Sequence, residues 1–288
     1  MQPSIIQCIS KLVCDRFWKI RPIQGGNTST AFLLRGQKKD YFLKINSDLC
    51  SKQLFEAEKR GLELIKASQT IATPKVIACQ TIEQSAFILL EYIANRPANS
   101  SDFSLLAEQL AKLHLQKQDR FGAKEPNWIG QLPQSNQSHS DWPQFYALER
   151  ILPQLILSVN RGYLNYTEIP KEAQLVSTLE NFIGQQTASL VHGDLWMGNY
   201  LIGKNDNKAY LIDPSAYCGH HLVDIAMTRL FGGFSNSFYE TYAHYFPKEA
   251  NYNACMDLYQ LYYLLVHLNM FGQSYYGRVS KILGQYWA

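Results

Sequence analysis

The sequence predicts an α+β fold of two lobes: a small antiparallel-sheet lobe with one helix, then a larger, mainly helical lobe. Three observations support this. The first ninety residues hold short β-type segments separated by turn residues. The chain past residue 97 is dominated by segments with broad apolar helical faces. A compact β-type island at residues 189–214 interrupts those helices. We expect the lobes to span residues 1–92 and 93–288.

Length and composition describe an ordinary globular protein. The 288 residues are enough to bury a core without disulfides, and 46% of them are hydrophobic, which excludes a disordered chain. The net charge is only +3, and no run of five or more Lys and Arg occurs. A nucleic-acid partner is therefore not expected, because such proteins carry a strongly basic surface.

The sequence also favours a cytoplasmic protein with no membrane partner. Its first residues lack a basic start, and Lys11 and Asp15 interrupt their apolar stretch, so we expect no signal peptide. The longest stretch without Lys, Arg, Asp or Glu, residues 258–277, contains several polar side chains and is typical of a buried helix. The six cysteines lack metal-ligand spacing, which favours reduced thiols.

In the small lobe, the periodicity of apolar residues and the positions of turn residues predict one helix and four strands. The helix covers residues 51–67, with apolar residues on one stripe and Ser51 as the expected N-cap. The last strand has a continuous apolar run, which is typical of a central strand. The predicted strands are residues 17–24, 29–36, 40–46 and 86–93.

In the large lobe, broad apolar faces predict long helices around the β-type island, and a hinge is expected near residues 91–97. The predicted helices include residues 105–116, 141–159 and 258–271. The β-type island consists of residues 189–194, 199–203 and 209–214.

The strongest chemical signal begins at His192-Gly193-Asp194. Asn199 follows Asp194 by five residues, and Asp213 ends an apolar segment fourteen residues later. Phosphoryl transfer needs a carboxylate near the attacking hydroxyl and an Asn and an Asp that hold metal at the phosphates, and kinase catalytic loops have this spacing. The alternative, that the two aspartates cap helices or turns, leaves the Asn spacing unexplained.

An upstream lysine and glutamate support the same interpretation. Lys44 alternates with apolar residues on a predicted strand, and Glu58 lies fourteen residues later on the next helix. Kinases use such a pair to hold the ATP phosphates. Glu56 lies about 200° around the helix from Glu58, so only one of them can face Lys44. We expect Glu58 to be that residue.

A glycine-rich segment lies between two predicted strands, where a phosphate-covering loop belongs. It lacks the G-x-G-x-x-G pattern, and taken alone it is typical of an ordinary hairpin turn. Its backbone N–H groups and hydroxyls can nevertheless bind ATP phosphates. The residues expected to do so are Gly26, Asn27, Thr28 and Ser29.

These motifs resemble the fructosamine kinase (ketosamine-3-kinase) family, in the aminoglycoside-phosphotransferase-like branch of the protein-kinase-like fold. The resemblance runs nearly end to end and includes GGNTSTAF, FGAKEPNWIGQLPQSN, VHGDLWMGNYLI and LIDPSAYCGHHLVDIAMTRLFGGF. It implies an ATP- and Mg²⁺-dependent kinase of the ketosamine 3-hydroxyl, and a role in repairing glycated amines. By the same resemblance, Asp194 is the general base, Asn199 and Asp213 bind Mg²⁺, and Lys44 with Glu58 holds the ATP phosphates.

The resemblance also implies further binding residues. Adenine is expected at the hinge, near Glu91, Tyr92 and Ile93. Trp196 is expected either against the sugar or in the core, and Asp224 is expected to brace the catalytic loop.

Three more residues are expected near the acceptor by resemblance. His220 matches the Gly-His of the family, whereas His221 receives no role. Asp141 and Trp142 match a family motif, but an N-cap with a hydrophobic anchor explains them equally well. His114 and His267, on apolar helix faces, are expected to be core histidines with hydrogen-bond partners.

One departure concerns redox control. Some family members carry a cysteine in the glycine-rich loop that supports a disulfide-linked dimer, whereas this chain has Asn27 there. We therefore expect no thiol switch at this loop and favour a monomer. The alternatives are an aminoglycoside- or choline-type kinase and a nucleotide-binding pseudokinase. The presence of all five catalytic residue types argues against the pseudokinase.

Overall fold

The computed structural model describes residues 3–23 and 29–287, and its first lobe is built on a five-stranded antiparallel sheet. The strands follow the order β1-β2-β3-β5-β4, so β5 is central, as its continuous apolar run predicts. All four predicted strands are present, and β4 is additional. The strands are β1 (Phe17–Ile23), β2 (Thr30–Gly36), β3 (Asp40–Asn46), β4 (Val76–Ile82) and β5 (Ser85–Glu91).

Helix α2 (Ser51–Ala67) covers one face of this sheet, through Phe55 and Leu62. The predicted stripe is confirmed, but the predicted N-cap is wrong. Ser51 is already helical and buried, and Cys50 at the N-cap makes no side-chain capping hydrogen bond.

A second helix, α1 (Pro3–Val13), covers the opposite face of the sheet. Its buried residues Ile5 and Ile9 pack against Leu34, Leu43 and Phe87. The sequence pattern predicted one helix in this lobe, and α1 is additional. Its apolar residues Ile5, Ile6, Ile9, Leu12 and Val13 do follow helical spacing, so the sequence carried a signal for this helix that our prediction did not use.

The second lobe is mainly helical, as predicted. Its helices are α3 (Ser100–His114), α4 (Trp142–Tyr146), α5 (Leu152–Asn160), α6 (Glu172–Phe182), α7 (Leu222–Leu230), α8 (Asn236–Tyr245), α9 (Tyr252–Phe271) and α10 (Tyr276–Trp287). The segment predicted as one helix over 141–159 consists of α4, a π-helical turn (Ala147–Ile151) and α5. Pro153, which lies in the first turn of α5 and has no N–H to donate, explains the interruption.

Short strands in this lobe position the loops that carry the predicted catalytic residues. They are β6 (Asn95–Arg96), β7 (Lys117–Gln118), β8 (Asn127–Ile129), β9 (Leu132–Gln134), β10 (Ala188–Val191), β11 (Tyr200–Gly203), β12 (Ala209–Leu211) and β13 (Tyr217–Gly219). Strands β8 and β9 form a hairpin, and the others form two three-stranded sheets, β13-β10-β7 and β12-β11-β6. The β10–β11 loop carries Asp194, and the β12–β13 loop carries Asp213.

Helix α2 also contacts the second lobe. Ile65 belongs to the second lobe's core, and Arg60 forms a 3.0 Å ion pair with Glu125. Gly61 lies so close to Pro214 that a Cβ atom there would be 2.8 Å from Pro214 Cγ. The division at residues 92 and 93 stays a prediction. Within residues 3–23 and 29–287, no helix combines the length and apolar character needed to cross a membrane.

Candidate active site

Lys44 pairs with Glu58 on the inner face of the sheet. Lys44 Nζ lies 2.9 Å from Glu58 Oε1 and also pairs with Asp213 from the second lobe. Burial opposes the charge on Lys44, but Asp213 and Glu58 outweigh it, so the pKa of Lys44 lies above its ordinary value. Burial raises the pKa of Glu58 to about 7, although Lys44 opposes that shift. Glu56 faces away, 3.9 Å from Lys52.

Asp194 lies at the start of the catalytic loop and is partly buried. The Asn199 side-chain N–H donates to the Asp194 carbonyl at 2.8 Å and lies 3.3 Å from Asp194 Oδ2. Burial raises the pKa of Asp194 to about 7, and the negative charges of Asp213 and Asp224 contribute to the shift. A carboxylate with this pKa can take up a proton at neutral pH.

Asp224, fully buried on α7, holds the backbone of this loop. Its carboxylate accepts the N–H of His192 at 2.7 Å and the N–H of Gly193 at 2.8 Å, as the bracing role predicts. It also accepts from His114 Nε2 at 3.1 Å, and His114 Nδ1 lies 2.7 Å from the Tyr242 hydroxyl. His114 is thus the core histidine with hydrogen-bond partners that the sequence predicts.

The oxygen atoms of Asp213 and Asn199 can hold a divalent cation. Asp213 has a φ of +53°, a left-handed conformation that aspartate adopts more readily than most residues. Because the Asn199 amide nitrogen bonds to Asp194, the Asn199 side-chain oxygen is left to act as a ligand. Carboxylate and amide oxygens are the donors that Mg²⁺ prefers, so these residues fit that ion.

A cavity of about 530 Å³ opens beside these residues, between α2, the β8–β9 hairpin, the catalytic loop and α9. Lys44, Glu58, Asp194, Asn199 and Asp213 line one end of it. The rest of its wall is largely aromatic and apolar, from Trp128, Trp196, Met197, Phe231, Phe271 and Tyr275 among others.

Trp196 is 37% exposed on this wall, so of its two expected positions the structure selects the cavity and not the core. Most other wall residues were not predicted, because they come from segments far apart in the chain. The motifs FGAKEPNWIGQLPQSN and LFGGF, which contain Trp128 and Phe231, are the sequence signal that could have located two of them.

Asp141, Trp142 and His220 do not line this cavity, so if the acceptor binds here they do not contact it. Asp141 caps α4 by accepting the N–H of Gln144 at 2.7 Å. Trp142 is fully buried, and its indole N–H donates to the Tyr259 hydroxyl at 2.9 Å. His220 contacts the same hydroxyl at 2.6 Å and lines a separate cavity of about 120 Å³. These side chains are packing and capping groups of the second lobe.

His267 also departs from its expected place. It is only partly buried and lines the main cavity, with Nδ1 2.8 Å from the Tyr263 carbonyl oxygen. The prediction that it finds a hydrogen-bond partner is confirmed, but the prediction that it belongs to the core is wrong. Most apolar residues of its helix, α9, do belong to the core, but the stripe that carries Val266, His267 and Met270 lines the cavity.

The hinge residues Glu91, Tyr92 and Ile93, and Ser29, are not among the described residues that line the cavity. Glu91 ends β5, and its N–H donates to the Lys75 carbonyl at 2.9 Å; Tyr92 and Ile93 follow outside any strand. Ser29, just before β2, has a buried hydroxyl with no hydrogen-bond partner among the described residues. Three residues expected to bind phosphate lie outside the described residues: Gly26, Asn27 and Thr28.

Comparisons with known proteins point to one family. The family model described as fructosamine kinase matches residues 1–288. A protein of Enterococcus faecium assigned as a ketoamine kinase is 33% identical over 92% of this chain and 94% of its own. The chloroplastic protein-ribulosamine 3-kinase of Arabidopsis thaliana is 32% identical over 93% of this chain and 82% of its own. A crystal structure from Haemophilus somnus 129PT, assigned as a fructosamine-3-kinase, superposes with a TM-score of 0.87 at 26% identity, covering 99% of this chain and 97% of that one.

Proposed function

The chain belongs to the fructosamine kinase family, and from that premise we propose that it transfers the γ-phosphoryl group of ATP to the 3-hydroxyl of a ketosamine. The observation that carries the proposal is the Lys44–Glu58–Asp213 cluster beside Asp194, at one end of a cavity of about 530 Å³. Donor-phosphate groups and an acceptor hydroxyl can therefore meet at the catalytic loop.

The chain's own side chains divide the work between donor and acceptor. Lys44, held by Glu58, contacts the ATP phosphates, and the Ser29 hydroxyl, which has no partner within residues 3–23 and 29–287, donates to a phosphate oxygen. Backbone groups of Glu91, Tyr92 and Ile93 bind adenine. Asp194 accepts the proton of the 3-hydroxyl as that oxygen attacks the γ-phosphorus, and the wall around Trp196 orients the sugar.

Asn199 and Asp213 would hold Mg²⁺, whose chemistry is to neutralise the negative charge on the ATP phosphates. The glycine-rich loop with Gly26, Asn27 and Thr28 would cover those phosphates with its backbone N–H groups.

The proposed setting is a monomer in the cytoplasm that repairs glycated amines. Its six cysteines are all free, which fits a reducing compartment. Fructosamines and ribulosamines are both candidate acceptors, because the two differ by a single CHOH unit and a difference of that size gives modest discrimination in such a site. An aminoglycoside- or choline-type acceptor is not favoured, since the curated relatives are ketoamine and ribulosamine kinases.

An acceptor panel tests the proposal. ADP release is measured with ribulosyl-lysine, fructosyl-lysine, free ribulose, kanamycin and choline. Turnover confined to the ketosamines is the expected result, and turnover only with kanamycin or choline would overturn the ketosamine assignment while keeping a kinase.

The variant Asp194→Asn tests whether Asp194 is the general base. We expect it to lose activity by at least about 100-fold while ATP still binds, because a positioned general base contributes that much. Asp206→Asn, which changes a carboxylate in the turn between β11 and β12, is the matched control and should keep its activity. A near-native rate in Asp194→Asn would contradict the assignment.

A further inference from the structure

The peptide unit between Gly193 and Asp194 is held at both of its ends by side chains. Its carbonyl oxygen, on Gly193, accepts a hydrogen bond from the Tyr263 hydroxyl at 2.9 Å. Its N–H, on Asp194, donates to His192 Nδ1 at 3.2 Å. A peptide unit is planar and ends at the Cα atom of Asp194. Its orientation therefore sets the direction in which the Asp194 carboxylate leaves the backbone.

No side chain at position 193 can fix this orientation. Gly193 has a φ of +83°, and a Cβ atom there would lie 2.3 Å from the Ser215 carbonyl oxygen. Glycine is conformationally permissive, so neighbouring groups must supply the restraint. Asp224 does so at the Gly193 N–H, and Tyr263 does so at the carbonyl.

The Tyr263 hydroxyl donates to this carbonyl, and the side chain is shielded from solvent. It is 1% exposed, and burial raises the pKa of its hydroxyl well above the ordinary value, so the hydroxyl keeps the proton that it donates. It belongs to α9 and lines the inner end of the main cavity together with Val266 and His267. His267 bonds to the backbone carbonyl of Tyr263 itself, so one helix turn borders both the acceptor and the catalytic loop.

We propose that Tyr263 is a positioning residue for phosphoryl transfer: its hydroxyl holds the Gly193–Asp194 peptide so that Asp194 faces the acceptor hydroxyl. The inference rests on the proposed function for the type of reaction, but it is independent of which acceptor is used. Because Tyr263 acts on the base and not on the nucleotide contacts, its loss should lower kcat and leave the KM for ATP unchanged.

The test compares two phenylalanine variants. Tyr263→Phe keeps the buried ring and removes only the hydroxyl. Tyr146→Phe is the matched control, because Tyr146 is also fully buried and its hydroxyl donates to a backbone carbonyl, that of Tyr259, at 3.1 Å. We expect Tyr263→Phe to lower kcat by about 5- to 50-fold, as a small misplacement of a reacting group does, with the KM for ATP within about twofold. Both variants should lower the thermal midpoint to a similar extent.

A rescue separates positioning from packing. Installing 4-aminophenylalanine at position 263 restores a donor at the same place and should restore most of kcat. The rates are measured with whichever acceptor of the panel the unmodified protein uses, so loss of the ketosamine assignment leaves this test intact. A kcat within twofold of the unmodified protein in Tyr263→Phe, an equal loss in Tyr146→Phe, or no rescue by the amine would each overturn the inference.

Discussion

Glu58 and Glu56 lie two residues apart on the same helix, yet only Glu58 contacts Lys44. Glu58→Gln should lower kcat/KM for ATP by about 10- to 100-fold, because Lys44 loses the charge that orients it towards the phosphates. Glu56→Gln is the matched control and should stay within about twofold, since an exposed ion pair contributes little. Initial rates over a range of ATP concentrations decide between them, and equal losses in both variants would contradict the pairing.

Asp15 presents a second test at the scale of one residue. Its carboxylate accepts the N–H groups of Arg16, Gln37, Lys38 and Lys39, which closes the β2–β3 turn onto the end of α1. Burial opposes ionisation of Asp15, but these four donors outweigh it and hold the pKa below its ordinary value.

A carboxylate whose pKa is lower in the folded state stabilises the fold above its unfolded pKa of about 3.9 and loses that effect as the pH falls through the folded pKa. Asp15→Ala should therefore unfold at a lower urea concentration than the unmodified protein at pH 6, with the difference shrinking below pH 4. Asp119→Ala, which removes an exposed carboxylate, is the control. A difference that stays constant from pH 6 to pH 3 would contradict this role.

The cluster that we propose to be catalytic could be located from the sequence, because its residues have a characteristic spacing within one loop, or between one strand and the next helix. Lys44, Glu58, Asp194, Asn199 and Asp213 all line the same cavity, and their catalytic roles stay a prediction. The aromatic wall, where we propose that the acceptor binds, was not predictable in the same way. It is assembled from α2, the β8–β9 hairpin, the catalytic loop and α9, and no local spacing records which of their aromatic residues meet. Asp141, Trp142 and His220 match family motifs, yet they take capping and packing positions and do not line the cavity.

At the scale of elements, the central strand β5 and helix α2 followed from their apolar patterns, whereas β4 and α1 were missed. Strand β4 lies at the edge of the sheet and has exposed residues, so its pattern is less apolar than that of β5. Helix α1 has a clear helical spacing of apolar residues, but which face of the fold it covers depends on the sheet. The π-helical turn between α4 and α5 likewise depends on one proline and its packing.

Helix α1 leads to a prediction about stability. Ile9 is fully buried between α1 and the sheet, so Ile9→Ala should destabilise the protein by about 2–5 kcal/mol, as large-to-small core changes do. Gln7→Ala changes an exposed residue of the same helix and should alter stability by less than about 0.5 kcal/mol. Urea denaturation followed by circular dichroism measures both. Equal changes in the free energy of unfolding for the two variants would show that α1 does not form part of the hydrophobic core.

At the scale of the whole molecule, the proposed nucleotide site joins the two lobes, because Lys44 and Asp213 come from opposite sides of it. Saturating Mg²⁺–ATP should therefore stabilise the folded protein; at 100 times Kd the gain is about 2.7 kcal/mol. We expect the rise in thermal midpoint to survive in Asp194→Asn and to be lost or much reduced in Asp213→Ala. Differential scanning fluorimetry with and without Mg²⁺ checks this, and an undiminished Mg²⁺-dependent rise in Asp213→Ala would contradict the ligand role.

The close approach of Gly61 to Pro214 shows how a member of this family could lose activity through a residue that lies outside the proposed catalytic cluster. One added methyl group at position 61 would lie 2.8 Å from the proline ring, a rigid group that cannot turn aside, so α2 would have to move away from the Asp213 loop. Glu58, on the same turn of the helix, would move with it. A chain carrying alanine there would retain Lys44, Glu58, Asp194, Asn199 and Asp213, and we expect its activity to fall because Glu58 and the Asp213 loop would be displaced from one another. A search for the catalytic residue types alone would therefore classify the alanine-carrying chain as an active enzyme. Only the contact between α2 and Pro214 would distinguish it from the present chain.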